Sequence, residues 1–150
     1  FGFFYAWVCS TMWGLDRTDP RVAIAAMQAM NASVRNIVFA PAFFGTPFVL
    51  ALTAILLRRQ GRARAGALFG ASSALYATFG MILTMAINVP MNEALAGMDA
   101  SSDAAHAYWT GTYLPRWTFW NSVRTAASAG SAALLLFGLL WMTQNQTQMI

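Results

Sequence analysis

The sequence predicts an all-α fold: a four-helix transmembrane bundle with short amphipathic helices on the non-cytoplasmic side. Three observations carry that prediction. Of the 150 residues, 58% are hydrophobic and only 9% charged, against about 25% charged in soluble domains, and the mean hydropathy is +0.51. The apolar residues gather in runs long enough to cross a hydrocarbon core of about 30 Å. Four of the nine basic residues, Arg58, Arg59, Arg62 and Arg64, sit together between two such runs, where a topology signal belongs. A single integral membrane domain over residues 1–150 is expected, with spans near 1–14, 37–57, 65–87 and 120–142.

The first run, Phe1 to Trp13, is apolar and aromatic. Thirteen residues make only about 20 Å of helix, so this span is expected to be truncated at its start. It is bounded by Asp16, Arg17 and Asp19 and lacks a basic leading region, unlike a signal peptide. Asp19-Pro20 reads as a helix start, with Asp as N-cap and Pro at the first position. The helix that follows has Val22, Ala25, Ala26, Ala29 and Met30 on one face, with Gln28, Asn31 and Arg35 as polar interruptions. Residues 37–57 form an uncharged run in which Pro41 and Pro47 are expected to kink the helix. Membrane helices tolerate such prolines when neighbours satisfy the freed carbonyls.

Residues 65–87 give the third span, with Gly66 and Gly70 in a G-x-x-x-G that favours packing within the chain. Pro90 suits the first turn of a new short helix capped near Asn88 or Val89. Ser102 or Asp103 can cap a second short helix carrying His106, Tyr108, Trp109 and Tyr113. Pro115 is expected to break the chain before the fourth span, and 143–150 is a polar tail. By the positive-inside rule the Arg58–Arg64 loop is cytoplasmic, which gathers the polar and aromatic segments at the opposite face.

Several chemistries are excluded. Cys9 stands alone, so there is no internal disulfide framework and no Cys-rich metal site. His106 is the lone histidine, and the Glu-x-x-His pairs of di-iron bundles are missing; no metal and no cofactor is expected. The arginines do not form a basic face with exposed aromatics, so no nucleic acid is expected.

The stretch Trp117-Thr-Phe-Trp120-Asn121-Ser-Val-Arg124 is the strongest chemical signal. Trp117, Trp120, Asn121 and Arg124 share one helical face. An arginine inside a span needs partners and is a functional candidate; the competing reading is a headgroup-level anchor. Asn88 and Asn92 read equally as helix caps, Glu93 as a helix-dipole partner, and His106 as a solvated loop residue.

The runs AIAAMQAMN, FFGT, NVPMNEAL and RWTFWNSVRT, in that order before an alanine-rich last helix, resemble the anthrone oxygenase-like (DUF1772) membrane family. The likeness covers about Asp19 to Trp141. Asn88, Pro90, Asn92 and Leu95, with Trp117, Trp120, Asn121 and Arg124, carry it. Fungal members oxidise anthrones to anthraquinones with O2, without metal or flavin. The resemblance implies that Arg124 and Asn121 hold an enolate oxygen, with Asn88 and Asn92 as further donors. It implies Trp117 and Trp120 stacked on the rings, and His106 or Glu93 as the base.

Two functions follow as expectations. The first is a cofactor-independent membrane oxygenase acting on a polycyclic phenolic substrate, with a cavity lined by Asn88, Asn92, Asn121 and Arg124. The alternative is a non-catalytic accessory or scaffold subunit in a larger membrane complex with pigment or lipid contacts. A carrier is disfavoured for want of an inverted repeat or a charged midplane site. The expected location is a bacterial inner membrane, with the lipid bilayer as the constant partner.

Overall fold

A computed structural model describes residues 1–147, with side chains placed as far as Thr143. The described residues form five continuous helices and no strand. Helix α1 spans residues 2–16, α2 Pro20–Ser33, α3 Phe39–Arg59, α4 Ala63–Ala96 and α5 residues 103–147. Helices α3, α4 and α5 are long and apolar enough to cross a membrane, and the chain is an integral membrane protein. Residues 148–150 of the expected polar tail lie outside the described residues.

Helix α2 begins as its sequence dictates. The Asp19 side chain accepts from the Arg21 N–H at 2.9 Å, with Pro20 behind it. Its buried face is Ala23, Ile24, Met27 and Asn31, not the Val22/Ala25/Ala29 stripe. Ile24 and Met27 cover more apolar area than alanines do, and Asn31 finds a buried partner. Between α2 and α3, Asn36 donates to the Ser33 carbonyl and accepts from the N–H groups of Val38 and Phe39. Helix α3 therefore starts at Phe39, and Pro41 lies in its first turn, where the missing N–H costs nothing. Pro47 alone sits inside the helix.

The short helices expected at 88–95 and 103–113 are not separate; they continue into α4 and α5. Each junction is a π-helical stretch, 84–88 before Pro90 and 109–113 before Pro115. The Val89 and Leu114 N–H groups bond five residues back, to Thr84 and Trp109. This wider turn eases the clash of a proline ring with the carbonyl four residues behind it. The helices therefore run on past the prolines without breaking.

Helix α4 has 34 residues and α5 has 41 up to Thr143, about 51 and 62 Å at 1.5 Å per residue. Both outrun a core of about 30 Å. Around the 97–102 turn they pack with α2 and the end of α1 into one apolar cluster, which includes Met12, Ile24, Met27, Leu95, Trp109, Tyr113 and Trp117. Gln28 donates to the Leu95 and Met98 carbonyls at 2.8 and 2.9 Å, closing the end of α4. At the arginine end a second cluster joins Leu50, Ala54 and Leu57 of α3 to Ala65 and Phe69 of α4. Gly66 lets the two backbones meet there: a Cβ on it would lie 2.9 Å from the Ala54 carbonyl oxygen. Its G-x-x-x-G is used within the chain.

Candidate functional site

Between the two clusters lies a cavity of about 530 Å3. Its walls come from α1 (Phe3, Phe4, Trp7), the end of α2 with the α2–α3 elbow, α3 (Phe39, Phe43, Phe44), α4 (Thr84, Asn92) and α5 (Trp117, Asn121, Arg124). Most of that lining is apolar or aromatic, so the few polar groups stand out. A shallower groove lined by Phe3, Met30, Val34 and Phe39 runs on from it along the elbow.

Arg124 is 4% exposed. One terminal nitrogen donates to Asn121 Oδ1 at 2.7 Å and the other to Thr84 Oγ1 at 3.0 Å. The guanidinium lies 4.8 Å from the Phe4 ring centre and 5.2 Å from that of Trp117, two cation–π contacts. Its Nε has no partner among the described residues. Among the described residues the ion pair is Arg35 with Glu93, so no carboxylate neutralises Arg124. Asn121 is spent on its neighbours, since its Nδ2 donates to the Phe4 carbonyl at 3.1 Å.

A second set of bonds crosses the cavity wall. Asn31 Nδ2 donates to the Tyr113 hydroxyl at 3.2 Å, and that hydroxyl donates to Asn92 Oδ1 at 2.8 Å. Trp117 Nε1 donates to the same Oδ1 at 3.0 Å. Trp117 thus touches both groups: Asn92 at its N–H edge and Arg124 on its face.

The structure brings together Asn92, Trp117, Asn121 and Arg124 from the residues singled out in the sequence. Asn88 is buried in the helix packing, with neither side-chain atom partnered, and does not line the cavity. Trp120 packs on Phe119, 5.1 Å between ring centres, and lies off the cavity. The inward stripe of α5 runs Trp117, Asn121, Arg124, Ser128, Ser131, spacings of four and three that leave Trp120 at the edge. His106 is exposed on the first turns of α5, and Glu93 faces solvent beside Arg35. Tyr113 and Thr84 were not singled out as site residues. Tyr113 lies four residues before Trp117 on the same stripe, which was the available signal. Among the described residues no group of three or more His, Cys, Asp or Glu is placed to hold a metal ion.

Fold and site define a helical integral membrane protein with a lipophilic, arginine-bearing cavity among its helices. A family model described as anthrone oxygenase matches residues 21–134, and the chain belongs to that family. No curated protein and no solved structure matches it.

Proposed function

We propose that the chain is a membrane oxygenase that oxidises a flat, oxygenated polycycle at a ring methylene. In the net reaction one methylene and one O2 give one ring ketone and one water. One oxygen atom enters the ketone, and the other leaves as water with both methylene hydrogens. The carrying observation is Arg124: a buried cation without a carboxylate, lying over two aromatic rings in the wall of an apolar cavity. A buried charge of this kind is costly unless compensated, and the enolate oxygen of a deprotonated anthrone supplies the compensation. Asn121 and Thr84 hold the guanidinium in place. The aromatic walls take the rings.

The cavity lining contains no carboxylate or imidazole. Arg124 therefore acts by favouring the substrate anion, with water as the acceptor of the proton. The anion passes an electron to O2, the radical pair combines at the ring carbon, and the peroxide loses the second C–H proton as the O–O bond breaks. The cavity beside Arg124 favours this function over the scaffold alternative, which needs only the bonds that tie Arg124 and Asn121 to Thr84 and Phe4. We further assign the chain to a bacterial inner membrane and place Arg58–Arg64 on its cytoplasmic side, the latter on the charge asymmetry of the loops.

The test is O2 uptake and anthraquinone formation from an added anthrone by the purified protein in detergent. Arg124→Gln is expected to lower turnover about 100-fold or more, the usual loss of a preorganised oxyanion donor, while the variant keeps its helical circular dichroism. Turnover unchanged by Arg124→Gln refutes the assignment.

A further inference from the structure

From the hydrogen-bond chain Asn31–Tyr113–Asn92–Trp117 we infer that the cavity recognises a polyoxygenated anion: Asn92 Nδ2 donates to a ligand carbonyl or ether oxygen, and Asn31 Oδ1 accepts from a ligand hydroxyl. The inference rests on the oxygenase reading and adds the substitution pattern of its substrate.

The Trp117 indole fixes the sense of every bond in this hydrogen-bond chain. An indole N–H can only donate. The Asn92 side-chain atom 3.0 Å from Trp117 Nε1 must therefore be the oxygen. The Tyr113 hydroxyl, 2.8 Å from that same oxygen, is then the donor of its pair. With its proton committed, the Tyr113 oxygen can only accept, so the atom of Asn31 that meets it at 3.2 Å is the amide nitrogen. One indole thus fixes two carboxamides in series.

What remains is Asn92 Nδ2 and Asn31 Oδ1. Neither takes a partner among the described residues, neither belongs to the sealed, unpartnered buried atoms, and both residues line the cavity. A donor and an acceptor of fixed sense thus accompany the Arg124 guanidinium. Tyr113 touches no ligand; it is a positioning residue for Asn31. Asn92 keeps its Trp117 bond when the Tyr113 hydroxyl is removed, whereas Asn31 loses its only side-chain hydrogen bond.

The experiment uses air-stable ligands and the full chain in detergent, titrated by quenching of tryptophan fluorescence. The ligands are 2,6-dihydroxyanthraquinone and 2-hydroxy-6-methoxyanthraquinone. Both offer an oxyanion and ring carbonyls; the methoxy compound lacks the second O–H donor. Wild type is expected to bind the dihydroxy ligand about ten-fold more tightly, the usual effect of one hydrogen bond to a fixed buried partner. Tyr113→Phe is expected to abolish that difference while changing the methoxy ligand's affinity less than about two-fold. A merely structural role for Tyr113 weakens both ligands together.

Equal binding of the two ligands by wild type overturns the inference and leaves the oxygenase reading standing, and it needs no variant to fold. Equal weakening of both by Tyr113→Phe also overturns it. Binding of neither ligand, or binding indifferent to Arg124→Gln, overturns the oxygenase reading and this inference with it.

Discussion

Pro47 has no N–H, so the Phe43 carbonyl four residues before it loses its helical partner. The Tyr76 hydroxyl of α4 donates to that oxygen at 3.3 Å, and Ser73 donates to the Pro47 carbonyl at 2.7 Å. Tyr76→Phe removes the first of these. At 3.3 Å the bond is longer than the usual O–H···O, and side-chain hydrogen bonds between membrane helices average about 0.6 kcal/mol. Leaving a buried carbonyl unpaired costs about 1–3 kcal/mol. The expected destabilisation is therefore about 1 kcal/mol. Pro47→Ala returns an N–H to the helix and gives the Phe43 carbonyl its own partner, so in that background Tyr76→Phe should cost close to nothing. The four proteins are compared by SDS titration in mixed micelles, with tryptophan fluorescence as the signal. A coupling energy of about 1 kcal/mol is expected from the cycle. Equal cost of Tyr76→Phe in both backgrounds refutes the reasoning. Phe43 also lines the cavity and packs against Phe4, Phe39 and Tyr76, so this bond shapes the wall of the site.

Gly66→Ala puts a Cβ 2.7 Å from Arg58 Cγ and 2.9 Å from the Ala54 carbonyl, whereas Gly70→Ala meets nothing nearer than 3.8 Å. The first is expected to cost about 1–3 kcal/mol as overpacking and the second to be tolerated, measured by the same SDS titration. In the 97–102 turn the Ser101 N–H and hydroxyl both donate to Asp99 Oδ1, holding its carboxyl below the usual range. A depressed folded-state pKa means stability that is present above the ordinary carboxylate range and lost as pH falls through the folded value. Ser101→Ala should raise the Asp99 midpoint toward the ordinary range in an NMR titration. His106→Ala should change turnover by less than about two-fold in the O2-uptake assay, because His106 is exposed and does not line the cavity.

Local signals were strong enough to place the elements. The Asp19 cap appears where the sequence put it and Ser102 is the one of two candidate caps that is used, because each cap depends on a few adjacent residues. The misreadings at Pro90 and Pro115 share one cause. A proline is a stop signal only for a helix bonded i→i+4, and nothing local marks the π turns that precede these two. The site was partly legible: Asn121 and Arg124 stood out as polar groups in an apolar run. Trp120 was misplaced because i+3 and i+4 are near-equivalent on a helical wheel, and only Ser128 and Ser131, continuing the stripe, decide which side faces inward. The roles of Asn31 and Tyr113 depend on a bond between residues 82 apart in sequence, which no periodicity encodes.

Arg124 is the residue whose cost demands a reason. Placing an arginine at the centre of a membrane helix costs about 2.5–3.5 kcal/mol on insertion scales. Two hydrogen bonds to neutral oxygens and two aromatic faces offset part of that, at about 0.5–2 kcal/mol per ring, but they leave the positive charge in place. A carboxylate would cancel it and would equally cancel the field in the cavity. The present arrangement keeps the field, so any ligand that ionises there is bound more tightly as its anion. Each tenfold preference for the anion lowers the bound ligand's own pKa by one unit, or about 1.36 kcal/mol. In the proposed oxygenase, a preference of a few powers of ten makes the bound ligand acidic enough for water to take its proton. On the function proposed above, this is how a cavity without a carboxylate or imidazole favours proton loss, with Asn121 and Thr84 holding the guanidinium in place.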